Sequence, residues 1–509
     1  MSANQPPHLT VRMPRLPKTG IIFNLQPVHM VWLGVALGIV VISSLLFELQ
    51  GILLTTPIWL PIALVGFSWI RDMPAPTVIT RSVIFMFRRA KGQTKYRHRP
   101  DSRALAELRA EGYMVLPGRK RNVRLLSTHE EPQPGRNSDL AGAAIIHDTA
   151  TNLVTVVAEI LARPFLTGSI AQQDALVQGY AGMHRAWTLR KGIYRITELE
   201  RTRVGSTRAT AEYRDQHWRA PEAAEGLTES YDEALELAAH IVREHVTQIA
   251  FTFDIGELRE QIRRAGGGDA GLATVLMSEM KNLQHAGLEA GFRSVRWLTP
   301  GEVRATIRMQ LDPAEVPSLQ ARAATGDGEV APGGEAVMSL EEARDFVRTD
   351  SGHHRVWWIS QWPHHEVRPG ILERIITGGM ADGSVIRHTL AVVKTPVPIG
   401  RALERINKRK RAWTASERVR VKQGRITSEA DKQEWQALIE QEQDLVAGMG
   451  EFELSAYLTI SAESRDELDQ ASSAMHTHMA NAGLEAHILY NQQTEGLFMC
   501  AIPTGEGLA

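Results

Sequence analysis

Two apolar stretches stand almost back to back near the start of the chain, at 30–47 and 52–70, with only Glu48 to Gly51 between them. Each contains 18 or 19 residues and no charged side chain. A helix of that length reaches about 27 Å, close to the roughly 30 Å hydrocarbon core of a bilayer. Because four residues allow only an antiparallel return, the pattern predicts a transmembrane helical hairpin over 30–70, preceded by a tail over 1–29.

Basic residues flank both stretches. Arg12, Arg15 and Lys18 precede the hairpin without any acid, and nine basic residues follow it against only Asp72 and Asp101. Lysine and arginine stay on the cytoplasmic side during insertion, so both termini and the whole remaining body are predicted to be cytoplasmic. The basic run also suits anionic lipid headgroups, although it could serve only as an orientation signal. The nine residues are Arg71, Arg81, Arg88, Arg89, Lys91, Lys95, Arg97, Arg99 and Arg103.

Strand and helix patterns then alternate to the end of the chain, which predicts an α+β fold. Apolar alternation and β-branched runs predict strands at 144–147, 152–161, 192–203, 248–255, 293–298, 356–359, 386–394, 453–461, 485–489 and 497–502. Helical spacing predicts helices at 169–187, 227–245, 270–285, 300–309, 401–421, 429–447 and 464–482. Thr228 is the expected N-cap of the second of these helices, and Ser464 with Glu467 forms a capping box at the last.

Composition shifts divide the body. We predict a basic juxtamembrane segment and linker over 71–135, a first cytoplasmic α+β region over 136–323, a Gly/Pro linker over 324–335 and a second α+β region over 336–509. The final β-α-β-β order predicts part of a ferredoxin-like split unit, and strand–helix–strand units recur in both regions.

Composition and motifs exclude several classes of function. The 509 residues carry a formal charge of −1, which argues against a bulk polyanion binder. The single cysteine, Cys500, permits no internal disulfide and no Cys-based zinc site, and we expect it to pack in the core. No Gly-Lys pair occurs, so the phosphate-binding loop of a nucleotide-driven motor is absent. Gly266 to Gly268 are predicted to form a flexible turn.

Four histidines and a glutamate stand close together in 353–366, beside three tryptophans. Imidazole is a common zinc ligand, so the cluster invites a metal site. Adjacent histidines on an extended segment point to opposite faces, however, so only one of each pair could join a single site. We expect the tryptophans to pack the domain or meet a partner, and we predict no catalytic, cofactor-binding or metal-ligating residue. The cluster contains His353, His354, Trp357, Trp358, Trp362, His364, His365 and Glu366.

A second basic run lies inside the predicted helix 401–421. Lys408, Arg409, Lys410 and Arg411 are consecutive and are followed by Trp413. Four consecutive charges spread around a helix, so a solvated face is the simpler interpretation. The run could also contact a nucleic acid backbone, which needs only positive charge.

The last sixty residues carry a resemblance to a known family. The segment 452–505, a strand, a long helix, an Ala482-Gly483-Leu484-Glu485 turn, another strand and a closing Ile502-Pro503-Thr504-Gly505, resembles the N-terminal domain of the VirB/TrbE/CagE-type ATPases of conjugation and type IV secretion. Arg163-Pro164-Phe165 and the helix after it resemble the opening of that domain. The hairpin is similar to the small PrgI-like and VirB-type inner-membrane subunits that sit beside the ATPase.

Together these features resemble an actinobacterial family of conjugative elements, in which the membrane hairpin and a motor-less N-terminal domain form one chain. The resemblance implies a non-catalytic scaffold that docks a separate ATPase to the other subunits of a membrane channel for DNA transfer. By analogy with ring-shaped channels it also implies a homo-oligomer, and it leaves open whether DNA contacts this subunit.

Two alternatives remain open from the sequence. A membrane subunit of a type VII secretion core would also combine two N-terminal spans with a cytoplasmic body, although the final β-α-β-β block fits it less well. A membrane-bound enzyme that uses the histidine cluster is the second alternative.

Overall fold

The computed structural model describes residues 27–70, 73–98, 103–117, 122–128, 140, 142–165, 167–204, 207–217, 225–241, 243–324, 330–363, 367, 370–380, 382–422, 429–447 and 450–501. The described chain is a mixture of helix and sheet, as the alternating patterns predicted. The basic residues of the tail, Arg12, Arg15 and Lys18, lie outside these ranges.

The apolar N-terminal segment forms helix α1 (Pro27–Phe67), whose backbone leaves the helical region at Phe47 and Glu48. Groups from the two sides of this break meet each other. The Thr55 hydroxyl donates a hydrogen bond to the Ser43 hydroxyl at 3.1 Å. Among the described residues, one helix is long and apolar enough to cross a membrane, at 28–67, and only 11% of its most apolar window is buried.

Short elements connect α1 to the body. They are the two-residue strands β1 (Trp69–Ile70) and β2 (Met73–Pro74), which pair with each other, then α2 (Ala75–Ala90), β3 (Lys95–Arg97) and α3 (Arg103–Ala110). The stretch 71–135, expected to be a basic segment and linker, therefore contains the helices α2 and α3, the strands β2 and β3 and a further sheet strand at Val123–Ser127.

The next elements, up to residue 324, form what we call the first half. They are β4 (Val123–Ser127), β5 (Ala144–Asp148), β6 (Leu153–Leu161), α4 (Ile170–Leu189), β7 (Ile193–Val204), α5 (Arg208–His217), α6 (Glu225–Ile241), β8 (Arg243–Asp254), α7 (Ile255–Arg264), α8 (Gly268–Glu289), β9 (Ser294–Trp297), α9 (Pro300–Leu311) and α10 (Val316–Ala324). Capping boxes open α4 at Ser169 and α9 at Thr299, where each side chain accepts a hydrogen bond from a backbone N–H of the first turn.

The elements from residue 339 onward form the second half. They are β10 (Ser339–Glu342), β11 (Val347–Arg348), β12 (His353–Gln361), α11 (Glu373–Thr377), β13 (Arg387–Val397), α12 (Ile399–Lys422), α13 (Glu429–Val446), β14 (Glu451–Ala462), α14 (Arg465–Asn481), β15 (Glu485–Ile488) and α15 (Gln493–Ala501). The predicted capping box of α14 is confirmed, since Ser464 accepts a hydrogen bond from the Glu467 N–H.

Strands from both halves belong to one sheet of 13 strands, in which every pairing is antiparallel. Its main order is β3-β10-β11-β12-β14-β13-β7-β8-β6-β5-β4, with β9 added to β6 and β15 added to β12. The halves join where β13 pairs with β7, from Thr389 opposite Arg201 to Lys394 opposite Ile196.

The two halves repeat one arrangement. In the first, the chain order β6, α4, β7, β8, α8, β9 gives the strand order β9-β6-β8-β7. In the second, the chain order β12, α11, β13, β14, α14, β15 gives the strand order β15-β12-β14-β13. Each half also inserts two helices between its second and third strand, α5 and α6 in the first and α12 and α13 in the second. The second pair, α12 and α13, is called the helical arm below.

Buried apolar residues lie on both faces of the sheet, because successive strand residues point to opposite sides. On one face, a single cluster contains first-half residues such as Leu199 and second-half residues such as Val393, under Ile307 of α9 and Phe498 of α15. On the other face, each half has its own cluster, including Leu276 of α8 in the first and Met475 of α14 in the second.

The sequence-based prediction is wrong at 497–502 and at Thr228. The stretch 497–502 was expected to be a strand, but its described residues lie in helix α15, so the last four described elements run β-α-β-α. Leu497 to Cys500 are all buried there, and a short, fully buried apolar run does not distinguish helix from strand. Thr228 is not an N-cap, since helix α6 begins at Glu225.

Candidate functional site

Helix α1 presents large apolar side chains outward along most of its length. Leu45 and Leu54 are 80% and 78% exposed, and Leu37 and Ile58 are also exposed. A continuous apolar surface of this kind is unfavourable in water, because each buried Å² of it is worth about 25 cal/mol. The surface therefore requires lipid or protein around it.

Two glycines lie where the segments before and after the break in α1 approach each other. A Cβ atom on Gly51 would collide with the backbone oxygen of Ser43. A Cβ atom on Gly66 would lie 2.9 Å from the Leu33 side chain. Small residues permit such close packing of apolar helices.

Helix α2 follows directly and has two unlike faces. Phe85 is 5% exposed on the face that meets the body, where Ser82 accepts a hydrogen bond from the Asn491 amide at 3.0 Å. On the opposite face, Val83, Ile84, Met86 and Phe87 are 44–68% exposed. The apolar surface of α1 thus continues onto α2.

The basic residues around α2 divide into paired and exposed groups. Arg88 forms an ion pair of 2.9 Å with Glu342, whose burial raises the pKa of its carboxyl against the lowering effect of Arg88. Lys95 pairs with Glu341 at 2.7 Å. Arg89 and Lys91 are exposed. Of the other predicted flanking residues, Arg81 packs near Glu495, Arg97 is exposed and Arg103 pairs with Glu107, while Arg71 and Arg99 lie outside the described residues.

The histidine pair of strand β12 points to opposite sides, as the sequence predicted. His354 is fully buried between the hydroxyls of Thr349 and Ser461, each 2.8 Å from a ring nitrogen. Burial, with lesser effects from Arg387 and His353, lowers the pKa of His354 to about 3. The Nδ1 atom of His353 bonds the Glu463 carbonyl oxygen at 3.2 Å. His364, His365 and Glu366 lie outside the described residues.

The tryptophans of the same cluster pack inside the body. Trp357 and Trp362 are 8% and 7% exposed in the second-half core, and Trp357 stacks on His476. Trp358 packs against the core that both halves share. Within the described ranges, no three or more His, Cys, Asp or Glu side chains are placed to hold a metal ion.

Part of the basic run of α12 makes contacts inside the helical arm. Lys410 forms an ion pair with Glu442 of α13, and its amine lies 5.9 Å from the centre of the Trp435 ring. Trp413 stacks on Trp435 with 4.4 Å between ring centres. The outward face borders a groove of about 530 Å³, lined by Asn407, Lys410, Arg411, Thr414, Ala415 and Arg418. Its positive charge can attract an anionic partner.

A partly buried polar network between the halves was missed by the sequence-based prediction. Lys394 of β13 donates to Glu198 of β7 at 2.6 Å, to the Tyr180 hydroxyl at 2.9 Å and to Nε2 of His184 at 2.7 Å. Burial alone raises the pKa of Glu198, but the charge of Lys394 and its hydrogen bond to the carboxylate outweigh burial and hold that pKa well below its usual range. A lysine within the otherwise apolar run of β13 was the available signal.

A buried thiol and a small cavity lie elsewhere in the body. Cys500 is fully buried, as predicted, and burial raises the pKa of its thiol to about 11, so the thiolate nucleophile does not form at neutral pH. A cavity of about 30 Å³ lies beside Arg201, Gln248 and Gln310, with room for about one water molecule. Neither offers a reaction centre.

No protein-family model matches the chain, and no curated protein is significantly similar to it. The likeness to conjugation and type IV secretion proteins therefore stays a prediction from the sequence.

Proposed function

We propose that this chain is a non-catalytic scaffold of the inner membrane in a conjugative or type IV-like secretion apparatus, where it docks a separate ATPase to the membrane channel. Helix α1 inserts as a two-helix hairpin, and both termini and the α+β body lie in the cytoplasm. The observation that carries the proposal is the exposed apolar surface of α1, whose length on each side of the break at Glu48 matches the hydrocarbon core of a bilayer.

The contacts across the break in α1 support the hairpin. A straight helix would place Leu33 and Gly66 about 50 Å apart at 1.5 Å per residue. Instead they are neighbours, and the rings of His29 and Trp69 lie 4.8 Å apart at the two ends of the segment. The turn then falls at Glu48, on the side of the bilayer opposite to the basic flanks.

The strand orders support two ferredoxin-like units, one in each half. Each half has the chain order β-α-β-β-α-β of the split βαβ arrangement, with its last strand beside its first. Two such units joined through β7 and β13 form one continuous sheet, which we place under the membrane. The ATPase, the other channel subunits, homo-oligomer formation and any contact with DNA rest on the sequence resemblance alone.

The membrane topology is testable by labelling single cysteines in intact cells. The native Cys500 is buried, so the unaltered chain serves as the unlabelled control. A membrane-impermeant thiol reagent added outside should label Gln50→Cys and should not label Ser473→Cys on the exposed side of α14 until the cells are opened. Labelling of both positions, or extraction of the chain without detergent, would contradict the topology.

The scaffold role is testable by isolating the complex from native membrane in mild detergent. We expect an ATPase and channel subunits to co-purify with the chain, and deletion of its gene to abolish transfer. The identity of the companions also separates a conjugative apparatus from a type VII core. Isolation of the chain alone, together with normal transfer in the deletion strain, would refute the proposal.

A further inference from the structure

The outward face of α2 has no cover among the described residues although it is strongly apolar. Val83, Ile84, Met86 and Phe87 share one face of this 16-residue helix and are 44%, 52%, 68% and 65% exposed. Four large apolar side chains exposed within five consecutive residues form a contiguous patch, which is unlike an isolated surface hydrophobe.

We propose that α2 lies in the plane of the cytoplasmic membrane interface, with this face in the lipid and with Arg89 and Lys91 against anionic headgroups. The inference rests on the proposed function, because it takes the insertion of α1 as given. It adds a second membrane contact, made by a helix that lies along the bilayer.

Continuity with the membrane segment argues for lipid as the occupant. Only seven residues separate the end of α1 at Phe67 from the start of α2, and the Ala75 N–H donates to the Ser68 carbonyl oxygen at 3.0 Å. Where α1 leaves the hydrocarbon core, α2 therefore begins at the headgroup level. Amphipathic helices at this level bury their apolar face about 5–10 Å into the boundary between headgroups and acyl chains.

Charge favours an anionic lipid surface over another apolar partner. Arg89 and Lys91 are exposed at the end of α2, and their attraction to an anionic leaflet is worth about 1 kcal/mol each near the surface. Arg88 is already engaged by Glu342 and holds the helix to the body.

The same helix therefore fixes the body to the membrane. Its inner face buries Phe85 and is attached to the second half through the Ser82–Asn491 hydrogen bond and the Arg88–Glu342 ion pair. With the outer face in lipid, α2 sets the distance and tilt of the body relative to the bilayer.

The test uses the full chain in nanodiscs of mixed neutral and anionic lipid, with a fluorophore on Met86→Cys. Brominated lipids quench a fluorophore according to its depth. We expect bromines near the headgroup to quench this label more strongly than bromines at the chain ends. Leu37→Cys, in the middle of the first apolar stretch, should show the opposite preference, and Ser473→Cys on the body should show no quenching.

The outcomes separate the two proposals. Quenching at Leu37→Cys without quenching at Met86→Cys would overturn the inference and leave the membrane anchor intact. A disulfide between the Met86→Cys residues of two copies would also overturn the inference, because the face would then contact a second copy and not lipid. Absence of quenching at both positions would overturn the anchor as well. In neutral lipid, or in Arg89→Gln/Lys91→Gln, we expect weaker quenching at Met86→Cys, and unchanged quenching would overturn the role of the two charges.

Discussion

Lys394 and Glu198 show how much one residue pair contributes to the junction between the halves. Their side chains are 10% and 18% exposed, and the ion pair crosses from β13 to β7. A buried charge that loses its partner is strongly unfavourable, whereas removal of both charges is far better tolerated.

Lys394→Met is therefore expected to lower the free energy of unfolding by roughly 3–5 kcal/mol. The double variant Lys394→Met/Glu198→Gln should recover much of that loss. Urea unfolding in detergent, followed by tryptophan fluorescence, measures both. Equal stability of the single variant and the unaltered chain would mean that the pair contributes nothing to the junction.

Two buried histidines predict a pH dependence. Burial is the largest effect in both, and it lowers the pKa to about 3 in His354 and to about 4 in His388, against 6.5 for a free imidazole. The unfolded chain then binds protons that the folded chain refuses. Each histidine should lower the free energy of unfolding by about 1.4 kcal/mol per pH unit as the pH falls below 6.5, until its folded pKa is reached.

Urea unfolding between pH 7 and pH 5 checks this expectation. In His354→Gln, the slope of the unfolding free energy against pH should be smaller by the contribution of one proton, about 1.4 kcal/mol per pH unit. Ser473→Ala, at an exposed and non-titrating position of α14, should keep the slope. A slope that does not change in His354→Gln would show that this imidazole is not buried in its neutral form.

At this scale, the sequence predicted what depends on neighbours in the chain. The opposite orientation of His353 and His354 follows from strand geometry alone. The partners of His354 do not, because Ser461 is 107 residues away. The pairing of Lys394 with Glu198 was missed for the same reason, since it requires the register of β13 on β7.

At the scale of helices and strands, the existence of elements was mostly predictable and their ends were not. The helix expected over 227–245 ends at Ile241, because His245 and its neighbours join β8 and pair with β7. Helix α15 was predicted as a strand for a different reason. Leu497 to Cys500 are all buried, so they show no apolar period that would distinguish a helix from a strand.

The helical arm offers a prediction about an element. Lys410→Glu places a second carboxylate beside Glu442 and removes the cation beside the Trp435 ring. We therefore expect the free energy of unfolding to fall by roughly 1 kcal/mol. The exchanged pair Lys410→Glu/Glu442→Lys should restore the stability, and Lys408→Glu on the exposed side should leave it unchanged. Urea unfolding measures the stability of each variant. Equal losses of stability in Lys410→Glu and Lys408→Glu would contradict the pairing of Lys410 with Glu442.

The break in helix α1 gives a second prediction about an element. Gly51→Val should force the two apolar segments apart, because its side chain meets the Ser43 oxygen and the Phe47 Cβ atom. A disulfide between Leu33→Cys and Gly66→Cys, formed with a mild oxidant and read by gel mobility, reports their proximity. We expect it to form readily and to fail in the presence of Gly51→Val. Gly38→Val, where nothing lies within 4 Å of a new Cβ atom, should have no effect.

At the scale of the whole molecule, the repeat of strand–helix–strand units was visible in the sequence, but the way the units join was not. The Gly/Pro stretch 324–335 predicted a boundary between two regions. Within it, Glu335 is fully buried and accepts a hydrogen bond from the Val115 N–H at 2.9 Å. The β7–β13 pairing crosses the same boundary. Such contacts between distant residues have no local pattern.

A shared sheet and a shared core predict that the halves unfold together. Met475→Ala removes a fully buried side chain from the second-half core and should cost roughly 2–5 kcal/mol. Because β13 holds β7 and one apolar cluster spans both halves, we expect amide hydrogen exchange to accelerate equally in β8 and β14. Leu276→Ala in the first-half core should do the same, and Ser473→Ala on the surface should do neither. Exchange that accelerates only in the half carrying the substitution would show that each half is an independent folding unit. The continuous sheet would then not couple the second half to the first.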